Sequence, residues 1–317
     1  MSAKPSFQTW TVTEPYLNLH CALGEGPFHE KATNNLRFVD IIGKRLHAVD
    51  LEKGPESVTT LQLDTPISVT ANVAGLDPRQ KIAIGVKYGL ALLDRASGKY
   101  EYIARFGADN ERLRANDGAA DPHGRFWLGT MTDFTHMPFQ PEGTLYVFDG
   151  AKSVRSKKHP MTIPNSISWS PDGKTMYFTD TAEDTIYACD YSSDDNAISN
   201  ERVFYKHTGP GSPDGHRVDV DGNLWSTFYG GSNVLKISPS GEVIGEIKLP
   251  TKNITCTQFV GTELFITTAA MKEGEGTAEE VEKGGALFRV DVGVQGLDLY
   301  EFKLSIGLGP KSPDVRS

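Results

Sequence analysis

The chain has 317 residues, 38% hydrophobic and 23% charged, which describes a globular protein able to bury a large core. Its formal net charge of −9 argues against binding phosphate backbones, and no apolar run is long enough to span a bilayer. Neither MSAKPSFQTW nor PDVRS carries an address signal, and Cys21, Cys189 and Cys256 are odd in number and widely spaced, as expected of free thiols in a reducing compartment. The cytoplasm is the expected location, with no nucleic-acid or membrane partner.

Short Val, Ile, Tyr, Phe and Trp runs between turn clusters, with 32 glycines and 18 prolines, predict an all-β chain. FQTWTVTEPYLNLH, about residues 7–19, is expected to close a ring by adding a strand to the last unit. A first unit, GEGPFHEKATNNLRFVDIIGKRLHAVD, opens near Glu25, and a second, SVTANVAGLDPRQKIAIGVKYGLALLD, near Val69. Three more align without gaps at a spacing of 49 residues: NDGAADPHGRFWLGTM from Asn116, NSISWSPDGKTMYFTDT from Asn165 and DGHRVDVDGNLWSTFY from Asp214. In each, a polar residue opens a strand and a glycine follows eight positions later, at Gly124, Gly173 and Gly222. An aromatic-rich strand comes next, then a third strand (GTLYVFD, DTIYACDY, NVLKISP). A sixth unit opens near Cys256 with CTQFVGTELFITTAA and is completed by GGALFRVDV. Between those two pieces GEGTAEEVEKGG could hold a helical turn or two and is expected as an exposed loop.

Six units of about four short antiparallel strands are the pattern of a six-bladed β-propeller, a single domain over 1–317. One twisted four-stranded sheet cannot bury both its faces, so such sheets stack around an axis. The first strand of each blade then lines the central channel. Glu25, Asn116, Asn165 and Asp214 all open such strands, so oxygen donors from four blades meet at one end of the channel. Two acids in a narrow channel cost several kcal/mol in repulsion and desolvation unless a cation is there. Hard oxygen donors without Cys or His favour one Ca²⁺, with Mg²⁺ or Mn²⁺ as alternatives and Zn²⁺ less natural. Asp-Gly and Asn-Asp-Gly are also common turn pairs, but the hairpin glycine eight residues on makes a second turn signal unnecessary.

The stretches LGEGPFHE, RANDGAADPHGRFWLGTM, PNSISWSPDGKTMYFTDT and SPDGHRVDVDGNLW together resemble the SMP-30/gluconolactonase family, which includes regucalcin, from about Cys21 to Tyr300. The resemblance implies a six-bladed propeller, one divalent cation in the channel and hydrolysis of sugar lactones. It implies Glu25, Asn165 and Asp214 as metal ligands and Arg114 and Asn116 as substrate-binding residues; in the hydrolysis expected here Asp214 is also the catalytic base. One departure concerns the loop MTDFTHMPFQPEG, where Phe134 stands at the family's hydroxyl-holding Glu, with Asp133 beside it. Either the register slips by one, or the pocket is more apolar and the lactone less hydroxylated.

Other motifs carry less. SPDGKT has Ser168 where a phosphate-binding loop needs its first glycine, and DVDGNLW has Leu224 at the obligatory glycine of a calcium loop, so both read as hairpins. His216 could act as a base, but a hydrogen-bonded blade histidine is the plainer reading. Trp127, Trp169 and Trp225 read as blade packing. The activity expected is metal-dependent lactone hydrolysis of a small-molecule substrate. The rivals are phosphotriester hydrolysis, as in diisopropylfluorophosphatase-type propellers, and a non-catalytic calcium-binding propeller.

Overall fold

The computed structural model describes residues 6–150, 154–192 and 198–304. Its strands form six sheets arranged as a six-bladed β-propeller. Blade one comprises Gly24–Glu30, Asn35–Asp40, Arg45–Asp50 and Thr59–Gln62. The innermost strands of the following blades are Ile67–Ala71, Leu113–Ala120, Pro164–Trp169, Ser212–Val218 and Ile254–Val260. Each begins at or just before the residue from which the sequence placed it. Each also lies against the innermost strands of both neighbours, which closes the ring around the channel.

Apolar side chains between adjacent blades hold the ring together. Trp225, Val234 and Ile247 of blade five pack with Ile254, Leu264 and Phe288 of blade six. Val39 and Leu46 of blade one pack with Ile67, Ile82 and Ile84 of blade two. Each such side chain contributes about 1.5–3 kcal/mol by leaving water. Trp127, Trp169 and Trp225 are all buried in these interfaces, and the three cysteines are buried and free. Gly124, Gly173 and Gly222 have φ of 88°, 68° and 85°, the left-handed conformation that the three hairpins require.

The N-terminal run behaves differently from the expectation. Leu17–Asn18 does pair with the last blade, against Ala286 and Leu287. Gln8–Thr11 instead adds a parallel strand to the outer edge of blade five, in register with Gly245–Lys248. There the half-buried Trp10 ring lies tilted against the buried Trp225, centroids 5.2 Å apart, which anchors the added strand. GEGTAEEVEKGG also differs, since Ala278–Glu282 is a short helix. Thr277 caps it by accepting from the Glu280 amide while the Glu280 carboxylate accepts from the Thr277 amide, a reciprocal cap that outweighs the flanking glycines.

The two mouths of the channel are unlike. Residues 295–303 cross one of them, bonded to Val218 and Val220 of blade five, Asn72 of blade two and Gly124 of blade three. The other mouth, where Glu25, Asn165 and Asp214 begin their strands, opens into a cavity of about 260 Å³.

Candidate active site

Every innermost strand carries a bulge against its second strand near its start. The breaks in register fall between Glu25 and Phe28, Ala115 and Gly118, Asn165 and Ile167, and Pro213 and His216. A bulge twists the strand locally and re-aims a side chain, and it recurs where several side chains must converge. The backbone at these points is unusual: Gly26 has φ of 54° and Ser166 has φ of 28°. A non-glycine residue there costs about 1–3 kcal/mol. The Asp117 carboxylate offsets that by accepting the Ser166 amide at 2.9 Å, a charge-assisted bond of comparable worth, about 1.5–3 kcal/mol.

The structure brings Glu25, Arg114, Asn116, Asn165 and Asp214 together on one cavity lining, and all five are buried. Asn116 Nδ2 donates to the Pro164 carbonyl at 2.8 Å and to Asn165 Oδ1 at 3.0 Å. Asn165 Nδ2 donates to Thr181 Oγ1 at 2.8 Å, and Thr181 Oγ1 donates to the Pro213 carbonyl at 2.8 Å. Glu25 Oε2 accepts the Gly26 amide at 2.9 Å. Asp214 Oδ1 is buried without a hydrogen-bond partner.

Electrostatics agree with that orphan oxygen. Burial, then the Asp117 carboxylate, push Glu25 up to about 8. Burial, then Glu25 and Asp117, hold Asp214 well above the usual carboxylate range. Asp117 is raised by burial and pulled back by Arg217, whose Nε donates to Gln258 at 3.1 Å. Among the described residues no three His, Cys, Asp or Glu side chains form a metal-binding group. The oxygen donors at the cavity floor are the Glu25 and Asp214 carboxylates and the amide oxygens of Asn116 and Asn165. An unpartnered, buried carboxylate oxygen beside a second acid and an amide oxygen fits a hard divalent cation, which would relieve both repulsion and the missing bond.

Arg114 spreads across the floor. Its Nη1 donates to the Ala115 carbonyl at 2.8 Å and its Nη2 to Met131 Sδ at 3.1 Å, while Nε has no partner. Burial lowers its guanidinium to about 10, with Asp133 and Glu25 opposing that shift. The Phe134 ring covers the guanidinium at 4.1 Å. Of the two loop residues, Phe134 faces the cavity. Asp133 turns away to cap Thr135, accepting its amide at 3.0 Å and its hydroxyl at 2.7 Å.

His216 is fully buried, with Nε2 2.8 Å from Ser168 Oγ and Nδ1 3.4 Å from Thr179 Oγ1. Burial, then Arg217, lower it to about 3. It is a hydrogen-bonded blade histidine.

Residues that the sequence reading passed over support this floor. Asp117 ties blade three to the bulge of blade four. Asp40 accepts the Ala22 and Leu23 amides at 3.1 and 3.0 Å, and Asp180 accepts the Thr162 and Ile163 amides at 2.9 and 3.0 Å. These carboxylates fix the loops that lead into Glu25 and Asn165. Both stand at the same offset from the residue they serve, so the repeat phase carried a signal for them.

A family model described as the SMP-30/gluconolactonase/LRE-like region matches residues 23–270. Pentonolactonase XacC of Haloferax volcanii is 32% identical, over 94% of this chain and 100% of that protein. Regucalcin of Pongo abelii is 32% identical, over 89% of this chain and 95% of that one. The crystal structure of a calcium-binding regucalcin of Agrobacterium tumefaciens superposes with a TM-score of 0.82 at 26% identity, covering 94% of this chain and 99% of its own. The chain belongs to the SMP-30/gluconolactonase/LRE-like family.

Proposed function

We propose that this protein is a lactone hydrolase that opens a sugar-type or related small lactone to its hydroxy acid, with one divalent cation held by Glu25, Asn165 and Asp214. The observation that carries the reading is the unpartnered Asp214 oxygen, buried beside Glu25 and Asn165 on the floor of an open cavity. The names of the relatives, pentonolactonase among them, support the reaction class. The oxygen donor set favours Ca²⁺ over Mg²⁺, Mn²⁺ or Zn²⁺.

When bound, such a cation polarises a lactone carbonyl and lowers the pKa of nearby water. The side chains do the rest. Asp214, a carboxylate on the cavity floor, accepts the proton of the attacking water. Arg114, with an uncommitted Nε–H, donates to an ester oxygen and holds it in line for attack, while Asn116, whose Nδ2 protons are spent on Pro164 and Asn165, leaves its Oδ1 to accept from the attacking water. The water oxygen bonds to the carbonyl carbon, the ring C–O bond breaks, and the leaving ring oxygen takes the proton that Asp214 accepted, so the hydroxy acid departs.

A carboxylate on this floor could instead attack phosphorus, so phosphotriester hydrolysis is the competing activity. A panel of lactones and phosphotriesters, run with wild type and Asp214→Ala, separates the readings. Lactone turnover should dominate and fall at least about 100-fold in the variant. Dominant phosphotriester turnover would assign the rival chemistry. Inactivity toward both would leave a non-catalytic cation-binding propeller.

A further inference from the structure

The cavity above this floor is walled by apolar side chains. Among the described residues seven large hydrophobics are exposed, and three of them, Ile42, Phe134 and Tyr229, line this single cavity. A fourth, Met137, lies on the Phe134 loop and is 55% exposed. Phe139 stands edge-on to Phe134 at 6.1 Å and completes the wall. Such a concentration at one mouth marks a surface built to be covered by a ligand.

Partners for hydroxyl groups are few on that wall. Beyond the floor group of Glu25, Arg114, Asn116, Asn165, Thr181 and Asp214, the lining's one polar side chain is Tyr229. The nearest acid in sequence, Asp133, is committed to Thr135 and lies 3.4 Å from Lys87 Nζ, and it does not line the cavity. A polyhydroxylated chain placed here would give up hydrogen bonds to water and gain few in return. An alkyl or aryl group would instead cover Ile42, Phe134 and Phe139.

Resting on the lactonase reading, we infer that the cavity takes a lactone whose ring carries an apolar substituent, alkyl or aryl. The substituent packs against Phe134, Phe139 and Ile42, while the ester faces Asp214.

The test compares kcat/KM for three δ-lactones: the unsubstituted ring, the same ring with a six-carbon alkyl chain, and a hexono-δ-lactone. Wild type should favour the alkylated ring over the unsubstituted one by at least about tenfold, the scale of a few methylenes in an apolar site. Ile42→Asn, at an exposed position, should remove most of that gain. Phe134→Glu should raise the hexonolactone-to-alkyl-lactone ratio by at least about tenfold. A wild-type preference for the hexonolactone over the alkylated ring would overturn the inference and leave the lactonase reading standing. Equal losses on all three substrates in Ile42→Asn would also overturn it. Inactivity toward every lactone would take down both.

Discussion

Thr181 decides which way the amide of Asn165 points. Its hydroxyl proton is given to the Pro213 carbonyl at 2.8 Å, so toward Asn165 the hydroxyl can only accept, and it does so from Nδ2 at 2.8 Å. The amide oxygen is thereby turned to Asn116 Nδ2, 3.0 Å away, on the cavity side. One hydroxyl thus orients Asn165 and fixes the backbone just before Asp214. Thr181→Val should lower affinity for Ca²⁺ or Mn²⁺ at least about tenfold, the usual effect of removing a group that orients a ligand. Thr181→Ser should restore it. Calorimetric titration of the folded variants checks this, and unchanged affinity in the valine protein would show that Asn165 is fixed by other contacts.

Substitution of Arg114 tests whether substrate binding is separable from cation binding. It lines the same cavity as Asp214 but has no lone pair to offer a metal. Arg114→Ala should reduce lactone kcat/KM by about 100-fold or more, as lost orientation does, with cation affinity nearly intact. Paired kinetics and metal titration measure the two effects. A matching loss of cation affinity in a folded variant would mean that the assignment of the floor is wrong.

The repeat phase made much of this site legible. Glu25, Asn116, Asn165 and Asp214 occupy one position in four blades, and a ring of blades must bring equal positions together. What the phase does not encode is how the strand bends there. The bulges depend on pairing with the second strand, and Ser166 at positive φ has no glycine to announce it. Thr181 was hidden because its partners, Asn165 and Pro213, come from two blades and meet only in the closed ring. The departure at Phe134 was visible, but the sequence could not say that Asp133 would turn away into its own cap. The parallel pairing of Gln8–Thr11 escaped for a similar reason, since every blade has an outer edge that a strand could join.

Buried His47 contributes to the acid sensitivity of the fold. It is buried in blade one, with Nδ1 2.8 Å from Thr60 Oγ1 and Nε2 unpartnered, and burial lowers it from 6.5 to about 4. The unfolded chain therefore takes up this proton first. The stability it contributes is present above pH 6.5 and is lost as pH falls through about 4. Urea unfolding of wild type and His47→Gln at several pH values between these limits should show a smaller acid loss in the variant. Identical losses would place the acid sensitivity in other groups.

Cation dependence of lactone turnover is the most direct test of the site assigned to Glu25, Asn165 and Asp214. Metal content and δ-lactone turnover should be measured on one preparation as purified, after exhaustive chelation, and after adding back Ca²⁺ or Mn²⁺. The expected result is one divalent ion per chain, turnover abolished by chelation and restored on addition, with no ion retained by Asp214→Asn. Full lactone turnover by protein that holds no divalent ion would contradict the account.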